Sequence, residues 1–247
     1  MEDAIEKPMA RFHRKDRLSR TGRPLPRLWL FTDERVDEDA LFDALARLPG
    51  GSGVVFRHYR LPSDRRRALL RRIGNVARRR GLLLFDAGSD GERSPLQLDG
   101  VHRPGWAGAG GSRTLRRAGL LLSMPAHDRR DLVAARRAGA DIVFLSPVFS
   151  TRSHPGAAAL GPIRFGLLTQ GAGLPVIALG GMDAARFRRV RPFGAHGWAA
   201  IDALSKGGAT RSKRRDPNTE EGLGFDRPSP NGNQVRHKRG FSLNGGG

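Results

Sequence analysis

The side chains that could do chemistry in this chain sit at the ends of short apolar runs. The richest stretch is Ser150-Thr151-Arg152-Ser153-His154, which follows Ile142 to Leu145. It combines hydroxyl donors, a permanent cation and a titratable imidazole, a set that suits an oxyanion or a diphosphate. Pro147, Pro155 and Gly156 stiffen the same loop, as a ligand clamp requires. Gly180-Gly181 follows another apolar run and precedes a helix start at Asp183. Unblocked backbone N–H groups there could face a phosphate, or the glycines could simply make a tight turn. Asp86 closes a third run and could hold Mg2+ together with substrate phosphates, or cap a helix. His127 reads equally as a general acid or base and as a polar residue in a first helical turn.

Several chemistries drop out. There is no G-x-S-x-G elbow, and no P-loop or G-x-G-x-x-G follows a strand, which removes acyl-transfer triads, nucleotide hydrolysis and dinucleotide redox work. The absence of cysteine excludes disulfides, cysteine-ligated zinc and a thiol nucleophile, and fits a reducing cytoplasm, the expected location. No stretch approaches the ~20 apolar residues of a membrane span, and the first residues lack the apolar core of a secretory signal. The formal charge of +20 comes almost wholly from arginine, since lysine occurs only at Lys7, Lys15, Lys206, Lys213 and Lys238. Those arginines are spread over many helices instead of forming one stripe interleaved with aromatics, so nucleic acid is not an expected partner.

The elements that must position these groups alternate. Strands are predicted at Leu28 to Thr32, Val54 to Arg57, Leu82 to Phe85, Gly100 to His102, Leu120 to Ser123, Ile142 to Leu145, Pro175 to Leu179 and Gly197 to Ile201. Helices fall between them. Asp37 is expected to cap one that carries Leu41, Phe42, Leu45 and Leu48 on one face. Ser63 should cap a second with Leu69, Ile73, Val76 and Ala77 inward. Arg113 to Ala118, His127 to Ala138 and Ile163 to Leu168 are helical, and Asp183 should cap a helix turning Ala184, Phe187 and Val190 inward. Only the stretch Ala87 to Leu98 has little helical character. Eight strands in alternation with helices predict a single (β/α)8 TIM barrel of the α/β class over residues 27–204, with a reduced last helix at Asp202 to Leu204. Residues 1–26 read as a disordered basic arm and 205–247 as a disordered tail. In such a barrel the site lies at the C-terminal strand ends, which adds Asp33, Arg57 to Tyr59, His102, Ser123, Ala200, Ile201 and Asp202 to the candidates, with a phosphate expected beyond strands seven and eight.

From Leu28 to Leu204 the chain resembles the thiamine phosphate synthase family, which includes the TenI-like thiazole tautomerases. The resemblance rests on Asp99-Gly100-Val101-His102, on Ala126-His127 ahead of Ala138-Gly139-Ala140-Asp141, on Ser146-Pro147-Val148-Phe149-Ser150-Thr151-Arg152-Ser153-His154-Pro155-Gly156, on Pro175-Val176-Ile177-Ala178-Leu179-Gly180-Gly181-Met182 and on Gly194-Ala195-His196-Gly197. It implies a transferase that couples hydroxymethylpyrimidine diphosphate to thiazole phosphate, releasing diphosphate with the help of Mg2+. Arg57, Thr151, Arg152, Ser153, Gly180, Gly181, Ala200 and Ile201 would then touch substrate, and Asp86 the metal. His154 stands where the family's loop has a lysine, and Ser123 is the candidate replacement for a family serine whose position is Pro125. The alternatives are a tautomerase using His127 without metal, or a paralogue that only binds phosphorylated ligands. Phosphorylated small molecules are the expected partners; homo-oligomerisation is left open.

Overall fold

The computed structural model describes residues 24–88, 97–104, 112–151, 158–201 and 204. The expected tail 205–247, nearly all of the N-terminal arm, and Arg152, Ser153, His154 and Asp202 lie outside the described residues. Eight strands, β1 (Leu28–Phe31), β2 (Gly53–Phe56), β3 (Leu83–Asp86), β4 (Gly100–His102), β5 (Leu121–Ala126), β6 (Ile142–Leu145), β7 (Val176–Ala178) and β8 (Gly197–Ala200), form a closed barrel in sequence order. Every neighbouring pair is parallel, and β1 closes on β8 through Leu30↔Ala200. The helices are α1 (Glu38–Arg47), α2 (Ser63–Arg80), α3 (Ser112–Arg117), α4 (Arg129–Arg137), α5 (Gly161–Gln170) and α6 (Ala184–Val190). No helix is described between β3 and β4, and Leu204 alone represents the reduced last helix, packed beside the cluster that α1 and α2 build.

Local chemistry accounts for most of the boundaries. The side chain of Asp37 accepts from the Ala40 amide, and Asp183 accepts from Arg186, satisfying first-turn donors as capping residues do. Ser63 does not cap as expected. It is the first helical residue of α2, and Pro62, with its fixed φ of −53°, occupies the cap without a side-chain bond. Gly81 ends α2 at φ 64°, a left-handed turn that glycine adopts without strain. On α2 the buried stripe is Leu69, Leu70, Ile73 and Ala77, with Val76 only partly covered. On α6 only Val190 is buried, while Ala184 is exposed. β5 extends beyond its expected end because Met124 and Ala126 pack outward against the helices.

The barrel interior is unusually aromatic. Trp29 meets Phe85 and Phe144 edge-on with centroids 5.0 and 5.3 Å apart, and Phe31 meets Phe144 at 4.8 Å. Each such contact adds about 0.5–1.5 kcal/mol beyond area burial. Gly53 is needed because a Cβ there would overlap the Trp29 indole. At Gly100 a Cβ would lie 2.6 Å from the Phe85 ring and from the Leu121 carbonyl oxygen. The last two residues of the expected N-terminal arm lead into the first strand and pack against the barrel. Leu25 joins the interior cluster, and Pro26 accepts a 2.9 Å bond from the Trp29 indole N–H, so the bottom of the barrel is plugged by the residues just ahead of β1.

Candidate functional site

The C-terminal rim has two sides. On the β6–β8 side, the loop after β6 is bound to the end of β7 by main-chain bonds: Val148 N donates to Leu179 O (2.9 Å) and Phe149 N to Gly180 O (3.1 Å). Gly180 and Gly181 stand at φ 89° and 60°. A Cβ at Gly180 would lie 2.7 Å from Pro147 Cα, and one at Gly181 would overlap Ser150 O. Both glycines are therefore required by the loop contact as well as by their backbone conformation. Their amides donate to no group among the described residues, and both residues are half-exposed, so two N–H groups stand ready at the rim. The start of α6, in contrast, is taken by the carboxylate of Asp183. The Phe149 ring lies under two guanidiniums, Arg186 and Arg189, each 5.3 Å from its centroid. Ala200 is buried facing outward beside Leu30, and the Ile201 side chain packs on the interior cluster, so any contact of theirs to a ligand must come from the backbone.

His127 follows β5 directly and is exposed. Its Nδ1 lies 2.8 Å from the Ser146 carbonyl oxygen. A carbonyl can only accept, so Nδ1 carries the proton and Nε2 holds the lone pair of the neutral ring. That tautomer presents a base, or an acid once Nε2 is protonated, beside the β6 loop. The His127 amide donates to Asp131 Oδ2 (2.8 Å), which fixes the backbone of the turn.

The β1–β3 side is built from charges that satisfy one another. Arg57 donates from Nε to Thr32 O (2.9 Å) and from Nη2 to Asp33 Oδ2 (3.2 Å), and its guanidinium lies 5.6 Å from the Phe31 ring centroid. Burial pulls its pKa below the ordinary arginine value, though far from neutrality at any physiological pH. Arg35 grips Asp33 through Nε (2.8 Å) and Nη2 (2.7 Å), and that hydrogen bonding, ahead of the opposing effect of burial, holds the Asp33 carboxyl at about 2. Thr32 Oγ1 is hydrogen-bonded to His58 Nδ1 (2.9 Å), and burial lowers the His58 pKa. Asp86 faces α2, not the mouth. Arg66 clasps both its oxygens, with Nη2 2.5 Å from Oδ1 and Nη1 3.3 Å from Oδ2, and the Gly88 amide adds 3.1 Å to Oδ1.

Ser123, expected to touch substrate, lies one layer down and is fully buried. Its hydroxyl donates to Val101 O (3.3 Å) and receives the Nδ1–H of His102 (3.0 Å). The interior register of the strand, shared with the aromatic layer, puts it there. His102 is edge-on to Phe31 and Phe144 at 5.5 Å each, and burial depresses its pKa to about 3, so the ring is neutral. Thr151 is half-buried at the last described position of the β6 loop. The groups that the sequence did not single out are Arg35 and Arg66. Arg66 had a signal: it lies three and four residues before Leu69 and Leu70, on the buried stripe of α2, where a solvated arginine does not belong.

The family model described as "Thiamine monophosphate synthase" matches residues 28–204. The chain is similar to the thiamine-phosphate synthase of Geobacillus thermodenitrificans, 32% identical over 182 residues that cover 70% of this chain and 79% of that one. It is also similar to that of Methanoculleus marisnigri, 31% identical over 202 residues, covering 76% and 92%. Among solved structures, the thiamine phosphate pyrophosphorylase from Pyrococcus furiosus superposes with a TM-score of 0.63 over 74% of this chain and 88% of that one; at 22% identity this likeness speaks for the fold alone. The match across all eight strands, with relatives above 30% identity over most of their length, shows that the chain belongs to the thiamine monophosphate synthase family.

Proposed function

We propose that the chain is a thiamine-phosphate-synthase-like transferase, coupling hydroxymethylpyrimidine diphosphate to thiazole phosphate. The observation that carries this reading is the contact between the β6 and β7 loops, which leaves the Gly180 and Gly181 amides without a protein acceptor among the described residues. Those amides would hold the thiazole phosphate, with backbone from Ala200 and Ile201 completing the cup. In the reaction the methylene–oxygen bond breaks, diphosphate leaves with the electron pair, and the thiazole nitrogen lone pair forms the new carbon–nitrogen bond. Cations placed where charge develops on the leaving group would supply most of the stabilisation. Arg57 at the mouth is the described residue suited to that role, joined by Thr151, Arg152, Ser153 and His154 of the β6 loop.

The family implies Mg2+ and the sequence offers Asp86 for it, but the described residues do not fit a divalent cation. Both Asp86 oxygens are already held by Arg66 and Gly88, and no group of three or more histidines or acids among the described residues could surround a metal ion. No helix among the described residues is long and apolar enough to cross a membrane. The transferase reading takes small phosphorylated molecules as partners and the cytoplasm as the place of work.

Incubating the protein with both substrates and following thiamine phosphate by thiochrome fluorescence tests the reading. Product must form, and Gly181→Ala must lose it. A second reading is favoured by the His127 tautomer: an Nε2 base at the rim could move a thiazole ring proton with no second substrate. Isomerisation that persists without the pyrimidine diphosphate and vanishes in His127→Asn would assign the tautomerase; binding of thiazole phosphate with neither reaction would assign a binding paralogue.

A further inference from the structure

Asp86 ends β3 with its side chain only 3% exposed, in a place where a lone carboxylate would need a cation. That cation is present and covalently attached. Arg66 projects from the first turns of α2, its side chain 16% exposed, and fills both Asp86 oxygens. Its Nε donates to the His58 carbonyl (3.2 Å), and its guanidinium lies 4.7 Å from the Phe56 ring centroid. The ring of Phe56 is stacked on its other neighbour, His58, at 4.8 Å and 12°. A Cβ on Gly88 would overlap Arg66, so the residue after the strand is small where the guanidinium passes. Both Asp86 oxygens, the His58 carbonyl and the Phe56 ring thus converge on one side chain, far more than a solvated surface arginine collects.

The geometry is incompatible with Asp86 serving a divalent ion. Mg2+ demands short oxygen contacts in near-octahedral array. To reach Asp86 it would have to displace a two-pronged guanidinium that is itself positively charged, at a place where no group of three or more histidines or acids among the described residues could surround the ion. Removing one member of such a buried pair leaves the other charge uncompensated. Each Arg66 Nη nitrogen carries a second N–H that Asp86 does not use.

We propose that Arg66 takes the place of the divalent cation at Asp86, so that the rim meets a diphosphate with permanent guanidiniums, Arg66 and Arg57, in a metal-independent way. The diphosphate part rests on the transferase reading; the exchange of metal for arginine at Asp86 does not. A manganese titration separates them. Using Mn2+ as the probe, electron paramagnetic resonance of the full chain should show no ion lost from solution to Asp86, and millimolar Mn2+ should leave the melting temperature unmoved. Arg66→Gln strands the carboxylate; it should melt lower than the wild type, and adding Asp86→Asn should restore part of the loss. Pyrophosphate, the probe for the rim, should bind the wild type with less than a twofold change in Kd between EDTA and excess Mg2+ once free ligand is corrected for Mg2+ complexation, and at least tenfold more weakly to Arg66→Gln in EDTA. A wild-type chain that binds one Mn2+ and loses it in Asp86→Asn overturns the proposal even if thiamine phosphate is made. Failure of pyrophosphate to bind under any condition, with the manganese results as expected, overturns only the diphosphate role.

Discussion

The two sides of the barrel rim satisfy their polar groups in opposite ways. On the β1–β3 side, the described acids are paired within the protein: Asp33 with Arg35 and Arg57, Asp86 with Arg66. On the β6–β8 side the contacts are main-chain bonds between loops, and the donors of Gly180 and Gly181 are left over among the described residues. A surface that has satisfied itself is rigid and stabilising, while one with spare, fixed donors is prepared for a ligand. Stability and binding should consequently respond to substitutions on different sides.

The largest stability effect is expected at the paired side. Asp86→Ala leaves the Arg66 guanidinium partly buried without its carboxylate, at a cost of about 3–5 kcal/mol in urea unfolding. Inorganic phosphate should still bind the variant within about twofold of the wild type, because the glycine amides lie on the other side. Equal losses of stability and phosphate affinity would mean that the two sides are one unit.

Gly181→Ala should give the reverse pattern. Positive φ and an overlap with Ser150 O together cost about 1–3 kcal/mol, by driving the β6 loop away from β7. Phosphate affinity should fall tenfold or more in the same sample, since backbone forced away from the positive φ of Gly181 turns the Gly180 and Gly181 amides out of alignment. A variant that loses stability but keeps its phosphate would place the anion site elsewhere.

How far these two sides could be read from sequence follows from the kind of contact each uses. Alternating strands and helices made the eight-stranded barrel legible, as did the capping aspartates Asp37 and Asp183. The glycine pair was legible too, because positive φ leaves a signature in residue type. Ion pairs leave none. Arg66 sits between Arg65 and Arg67, and only its place on the apolar stripe of α2 marks it out, so Asp86 reads as a free carboxylate until the helix is folded against the sheet. The depth of Ser123 was not legible for a related reason. Strand periodicity says that a residue faces the barrel interior, but it does not give the height, and Ser123 lies one layer down, against His102.

That buried pair predicts an acid sensitivity confined to the barrel core. The folded pKa of His102, about 3, is below its ordinary 6.5, so the unfolded chain takes up the proton first and stability falls as pH drops from 6.5 toward 3. This residue alone contributes a slope of about 1.4 kcal/mol per pH unit in that window. His58, also depressed by burial, acts in the same direction. His102→Asn should flatten the slope by its share, read from denaturation midpoints at pH 6.5 and 5.5; an unchanged slope would mean that water reaches the imidazole.

The smallest effect should come from Arg35, although its hydrogen bonding to Asp33 is the largest cause of that group's low pKa. The Arg35 side chain is 58% exposed and solvent screens it, whereas Arg57, 26% exposed, continues to hold Asp33 from the mouth of the barrel. Arg35→Ala should therefore cost less than about 1 kcal/mol at neutral pH. The Asp33 carboxyl should titrate higher than about 2, as followed by its 13C shift, because a folded pKa held low gives stability that is present above the ordinary aspartate range and lost as pH falls through the folded value. A cost as large as that of Asp86→Ala would show that the exposed arginine, and not Arg57, holds the β1–β2 part of the rim in place. With a small cost and a raised pKa, the structural charge on this side is the half-buried Arg57, and Arg35 only tunes the acid beside it.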